Sequence, residues 1–158
     1  MQLCYPRLEG RHGKFYTDTL FARTASLTNC TMAQVYTNDV DFSKIFPIKA
    51  KGDVPDTLIV FMQDVGIPLA LHSDDAKELT QGRMGEIVRK AWIKPTQSEP
   101  YSPWQVRAEL CNRELKKAVR YAYALYKTNA PGQLWDYFAA YHSEIRNLTA
   151  HPHYNVQG

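Results

Sequence analysis

Three carboxylates are the residues best suited to act together chemically. Asp18 lies inside an alternating segment, Lys14 to Phe21, where a buried charge is costly unless something pairs with it. Asp74 follows the short apolar run Ile67 to Leu71, and the ends of such strands are where α/β sheets carry functional groups. Glu109 comes after Ser102-Pro103-Trp104-Gln105, a capping box with Ser102 as N-cap, Pro103 at the first helical position and Gln105 at the third. That puts Glu109 in the second turn of a helix. If the strands bearing Asp18 and Asp74 are neighbours, the helix can bring in the third carboxylate. Clustered anions repel, so the grouping makes sense chiefly with hard divalent cations between them. Two such ions clamp the attacking and leaving oxygens of an in-line phosphoryl displacement. Each residue also has an ordinary structural use: an edge-strand Asp, a turn-forming Asp, and a Glu serving the helix dipole.

The elements that must position them follow from periodicity. In Lys14 to Phe21, Phe15, Thr17, Thr19 and Phe21 fall on one face of a strand, and Tyr16, Asp18 and Leu20 on the other. Met32 to Thr37 and Lys44 to Ala50 read as two more strands around a turn at Asn38-Asp39, completing an antiparallel meander. Asp53 reads as a helix N-cap, with Pro55 in the first turn and Gly66 as the stop; Val54, Leu58, Phe61, Met62 and Val65 form one apolar stripe. A strand is expected at Ile67 to Leu71, a short helix over Arg83 to Ala91 and a strand at Trp92 to Thr96. A proline-bounded loop at Ser98 to Pro103 leads into a long helix reaching about Lys127. After a break at Asn129 to Gly132, a final helix carries Leu134, Phe138, Tyr141, Ile145 and Leu148 on one stripe. The layout is α/β: a mixed sheet of three antiparallel strands plus parallel strands, flanked by helices.

Composition sets wider limits. The length of 158 residues suits one domain, and 44% hydrophobic residues suffice for a sizeable core. A net charge of +3 permits a nucleic-acid partner without requiring one. Cys4, Cys30 and Cys111 contain no CxxC pair and point to a reducing compartment rather than to disulfides or a zinc cage. The acceptor patterns at Asn29-Cys30-Thr31 and Asn147-Leu148-Thr149 are of a kind common by chance. No apolar run is long enough to span a membrane, and the first ten residues lack the apolar stretch of a signal peptide, so no membrane association is expected.

Around the three carboxylates the sequence becomes specific. Tyr16-Thr17-Asp18-Thr19, Leu71-His72-Ser73-Asp74, and the segment from Pro100 through Ser102-Pro103-Trp104-Gln105 to Glu109 resemble the catalytic core of retroviral and retrotransposon integrases. The similarity is greatest to copia-type gag-pol polyproteins, where a Pro-Trp-Gln turn precedes the glutamate and Arg-Glu-Leu-Lys follows it, as Arg113 to Lys116 do here. It runs from about Lys14 to Leu148 and is strongest over Gln105 to Lys117. The family places an Asn where Val106 stands and an Asn or Gly where Asp75 stands. The family's zinc-binding His/His/Cys/Cys module is missing; His151 and His153 have no cysteine partners.

The resemblance implies a ribonuclease-H-like core over residues 14–150, with 1–13 as an N-terminal extension and 151–158 as a tail. Asp18, Asp74 and Glu109 would be catalytic and would hold two Mg2+ (or Mn2+) ions. The reaction would be 3′-end processing and strand transfer of element DNA. Glu109, Arg113 and Lys117 recur at helical spacing on one face, with Lys116 and Arg120 beside them. Given the family, Gln105, Arg113, Lys116 and Lys117 are the expected DNA contacts; without it they are a solvated helix face. Trp104 and the row Tyr121, Tyr123 and Tyr126 are expected to pack. The implied setting is a homo-oligomer derived from a larger polyprotein, in the nucleus or in a cytoplasmic particle before nuclear entry. Ribonuclease H itself is disfavoured, since the first helix offers Asp53, Asp56 and Asp64 but no Glu. The reading from another class is a catalytically inactive DNA-binding or assembly relic of a degenerate element.

Overall fold

The computed structural model describes residues 5–97, 109–117, 120 and 132–148. The capping box, Gln105, Trp104, the tyrosine row and both C-terminal histidines lie outside these residues. The elements in chain order are β1 (Lys14–Phe21), β2 (Met32–Asn38), β3 (Ser43–Ile48), α1 (Val54–Asp64), β4 (Ala70–Ser73), α2 (Ala76–Thr80), α3 (Gly82–Lys90), β5 (Lys94–Gln97), α4 (109–117) and α5 (Trp135–Leu148). The five strands form one sheet in the order β3-β2-β1-β4-β5. The expected antiparallel meander is present, and β4 and β5 add to β1 in parallel. Pro47 and Pro95, which cannot donate to a ladder, sit on the two edge strands, where that costs least.

The sheet is covered on both faces, which is why β1 at its centre buries residues of both, Phe15 and Thr17 on one and Tyr16 and Leu20 on the other. On one face Phe15 and Tyr36 pack with Leu58, Phe61 and Met62 of α1 and with Met84 and Val88 of α3. The stripe anticipated on α1 is the stripe it buries. On the other face Leu20, Ala33, Val35 and Ile45 meet Leu115 of α4 and Trp135 and Ala139 of α5. Residues ahead of β1 lie against the first core: Leu8 donates its backbone N–H to Ile67, Ile67 donates to Pro6, and Tyr5 and Leu8 pack on the cluster.

That pairing accounts for a displaced element. The strand expected at Ile67 to Leu71 runs instead over Ala70–Ser73. Ile67 bridges to Arg7, and Pro68 has no N–H to offer a ladder. β5 is shifted similarly: Trp92 turns into left-handed backbone at φ 55° and is 82% exposed, so pairing begins at Lys94. α2 lies ahead of the helix expected over Arg83 to Ala91, with Asp75 as its N-cap accepting from the Lys77 backbone N–H at 2.9 Å. Asp53 does not cap α1 with its side chain. It closes a preceding 3-10 turn and accepts from the backbone of Ala50 at 3.0 Å.

On α5 the apolar stripe does not face the sheet. Tyr141 is 67% and Leu148 is 83% exposed, while Trp135, Ala139 and Ser143 are buried. The docking is polar and local. Ser143 donates to the carbonyl of Ser43 at 2.7 Å, and the Asn147 amide both accepts from the Ser43 N–H and donates to its carbonyl. These bonds fix the helix rotation on edge strand β3, where an unpaired backbone would otherwise need water.

Candidate active site

β1 and β4 run in parallel with Phe15 opposite Leu71 and Tyr16 opposite His72. Continuing that register by two residues brings Asp18 level with Asp74. Side chains two apart on a strand share a face, and the preceding pair, Tyr16 and His72, stack edge to face with centroids 5.5 Å apart. The short β4 ends at Ser73, so Asp74 leaves the sheet at the point where Asp18 is still within it. The two negative charges interact.

Asp18 is half-buried on the central strand, and burial is the main cause that raises its pKa above the usual carboxylate value. The charge of Asp74 pushes it in the same direction. Opposing both are the Thr19 N–H, which donates to Oδ1 at 2.8 Å, the ammonium of Lys116, and the side-chain amide of Asn112, which donates to Oδ2. Asn112 comes from α4 and is only 8% exposed; its own Oδ1 is buried without a hydrogen-bond partner. Thus α4 is tied to the centre of the sheet by a bond to the first carboxylate. Asn112 had not been singled out, although its spacing of three from Glu109 puts both on one helix face.

Glu109 opens the described part of α4 and lines a cleft of about 580 Å³ together with Asp18, Asn112, Arg113, Lys116 and Lys117. The basic row expected on the glutamate's face of the helix therefore stands in the same cleft as two of the carboxylates. Leu115, on the reverse side, is buried beneath it, whereas Leu110 is 41% exposed. Among the described residues no group of three His, Cys, Asp or Glu side chains stands close enough to hold one metal ion. The structure therefore sets Asp74 level with Asp18, just past the end of the neighbouring strand, and puts Glu109 into the cleft of Asp18, short of a closed three-ligand group among the described residues.

The turn after β4 holds Asp74 and Asp75 apart in role. Asp75 caps α2. The buried Ser73 hydroxyl accepts from the Asp75 N–H at 3.3 Å and lies 3.2 Å from Glu78, which in turn pairs with Lys51. Asp75 is thereby committed to the backbone; both aspartates are exposed, and Asp74 has the Ser73 hydroxyl 3.4 Å from its Oδ1. His72, whose Nδ1 is 2.8 Å from the Thr96 hydroxyl, has its pKa lowered by burial, with Asp74 opposing.

No protein-family model matches the chain, and no curated protein matches it by sequence. Solved structures do. A simian T-cell lymphotropic virus intasome in complex with PP2A regulatory subunit B56 gamma matches 87% of this chain with a TM-score of 0.66 at 16% identity. This chain spans 51% of the length of that one. The catalytic core domain of BIV integrase matches 83% of this chain and 82% of its own length, with a TM-score of 0.59 at 19% identity. The HTLV-2 integrase catalytic core domain in complex with magnesium, in a dimeric form, matches 86% and 84%, with a TM-score of 0.60 at 10% identity. The mixed five-stranded sheet flanked by helices, with its parallel β1–β4 pair, is thus the ribonuclease-H-like fold of retroviral integrase catalytic cores.

Proposed function

We propose that this chain is the catalytic core of a retroelement integrase of the copia type, carrying out 3′-end processing and strand transfer on DNA. The observation that carries this reading is a half-buried carboxylate, Asp18, level with Asp74 at the sheet's end, in a cleft that also holds Glu109 and the cations Arg113, Lys116 and Lys117. Two carboxylates whose charges oppose each other form an all-oxygen donor set of the kind that suits hard divalent cations. Asp18, Asp74 and Glu109 would hold two Mg2+ or Mn2+ ions. Bound there, the ions would supply charge neutralisation and polarisation of the attacking and leaving oxygens.

The remaining tasks fall to the chain itself. The Thr19 N–H and the Asn112 amide orient the Asp18 carboxylate. Lys116 lowers the cost of its charge. Arg113, Lys116 and Lys117 attract the phosphate backbone and align it over the carboxylates, and Gln105 would join them from the turn before α4. The nucleophile is a water in end processing and a DNA 3′-hydroxyl in strand transfer. The exposed Tyr137, Tyr141 and Leu148 face on α5 supports assembly with a second copy. The setting that fits this chemistry is a product of a larger polyprotein acting in the nucleus, or in a cytoplasmic particle before nuclear entry.

Two observations favour a second reading, an inactive DNA-binding relic: the Asn112 amide occupies Oδ2 of Asp18, and no three-carboxylate group is closed among the described residues. Strand transfer of a labelled, pre-processed DNA end into a target duplex, with Mg2+ or Mn2+, separates the two. Activity in the wild type that is lost in both Asp74→Asn and Glu109→Gln, with DNA binding retained, is expected. DNA binding without strand transfer in the wild type would leave the relic.

A further inference from the structure

Beside the cleft lies a second cavity of about 330 Å³, between the end of β1, α4 and α5. Its buried wall is apolar, made by Leu20, Leu115, Trp135 and Ala139. Its open side carries Phe21, which is 57% exposed, and the cations Arg23, Lys116 and Arg120. No acidic side chain lines it among the described residues, unlike the neighbouring cleft. Trp135, in the wall, keeps its indole N–H buried without a hydrogen-bond partner. The two cavities share Leu20, Phe21, Lys116 and Arg120.

An aromatic at the mouth, an apolar wall and three cations suit a flat, partly polar ring attached to an anion. The volume is at the small end of the range of about 300–1,000 Å³ that accommodates organic groups. Because Lys116 and Arg120 border both cavities, a phosphate held between them would carry its nucleoside toward the second while the strand continued through the first. We propose that this cavity takes one unpaired nucleobase of a DNA strand lying in the cleft, stacked against Phe21, with the adjoining phosphate on Lys116 and Arg120. Stacking on an aromatic side chain is tolerant of base identity, so the pocket reads strandedness rather than sequence. The inference rests on the DNA-acting reading of the cleft and adds to it a preference for DNA with an unpaired base at its end.

Fluorescence titrations of the intact chain against two duplexes, one blunt and one with a short single-stranded extension carrying 2-aminopurine, test this. The extended duplex is expected to bind about tenfold more tightly, with 2-aminopurine quenched on binding; one stacked base contributes an effect of about this order. The readout is the ratio of the two affinities within each protein. Phe21→Ala, at an exposed position, should bring that ratio to about one, and Phe21→Tyr should keep it. Equal affinities in the wild type, or a ratio that survives Phe21→Ala, overturn the pocket. Strand transfer of a pre-processed end into a target duplex reports separately on the enzyme. Strand transfer without the binding preference defeats the pocket alone, and the preference without strand transfer defeats the enzyme reading alone. Failure to bind either duplex defeats both.

Discussion

Replacing Asp18 probes the site without reference to catalysis. Burial and the charge of Asp74 both raise the Asp18 pKa, so the folded protein holds that proton more tightly than the unfolded chain. A raised folded-state value means that stability from this group is fully present below about 3.8, the ordinary Asp value, and is lost as pH rises through the folded value. At neutral pH and without divalent cation, Asp18 is therefore a net electrostatic cost. Asp18→Asn removes that cost and can keep both hydrogen bonds. Its Oδ1 still accepts from the Thr19 N–H, and a flip of the Asn112 amide would turn its unpartnered Oδ1 toward the new NH2. The bonds weaken by about 0.5–1.5 kcal/mol on losing charge assistance, which opposes the electrostatic relief. Asp18→Ala instead strands the buried Asn112 amide, at a cost of about 1–3 kcal/mol. Asp18→Ala gains the same electrostatic relief, so the two variants differ by the stranding cost less the bond weakening, about 0.5–1.5 kcal/mol. At about 2–4 °C per kcal/mol for a domain of this size, the Asn variant in EDTA should melt roughly 1–6 °C above the Ala variant. Magnesium at ten times its Kd should stabilise the wild type by about 1.4 kcal/mol, or roughly 3–6 °C, and neither variant to that extent. Differential scanning calorimetry with EDTA or excess Mg2+ or Mn2+ gives all the values. A wild-type melt indifferent to both metals, together with an Asn variant no more stable than the Ala variant, would refute the argument.

Two further outcomes follow from the same geometry. If the cleft holds DNA as proposed, Lys117→Ala should lower the slope of log affinity against log salt for duplex DNA by about one unit, whatever the sequence, because a lysine lining the cleft would meet phosphates rather than base edges. An unchanged slope in anisotropy titrations would make Lys117 a solvated lysine. Asp75→Ala should lower stability by about 1 kcal/mol through loss of the α2 cap while leaving the magnesium-induced shift of the melt intact. A lost shift would make Asp75, not Asp74, the second metal-holding carboxylate.

Local sequence settled the features that depend on near neighbours. Alternation in Lys14 to Phe21 and the stripe on α1 are each written within one element; the α1 stripe buries the face it advertises, whereas β1 buries residues of both faces because the sheet is covered on both sides. So is the basic row of α4, since side chains three and four apart on a helix share a face wherever the helix packs. The resemblance carried by the segments around the carboxylates made the fold legible too. Contacts distant along the chain were not. Ile67 and Pro68 read as the start of a strand, but the N-terminal segment takes the backbone bonds of Ile67 and delays β4 until Ala70. Asp74 and Asp75 are chemically equivalent neighbours in the sequence; their roles part because Asp75 caps a five-residue helix that periodicity does not reveal. On α5, hydrophobicity marked Tyr141 and Leu148, yet Ser143 and Asn147 fix the rotation by bonding edge strand β3, and the apolar stripe faces outward. Asn112 meets Asp18 across 94 residues of chain. A periodicity records which residues share a face; what that face meets is decided only when the sheet and its helices close on one another.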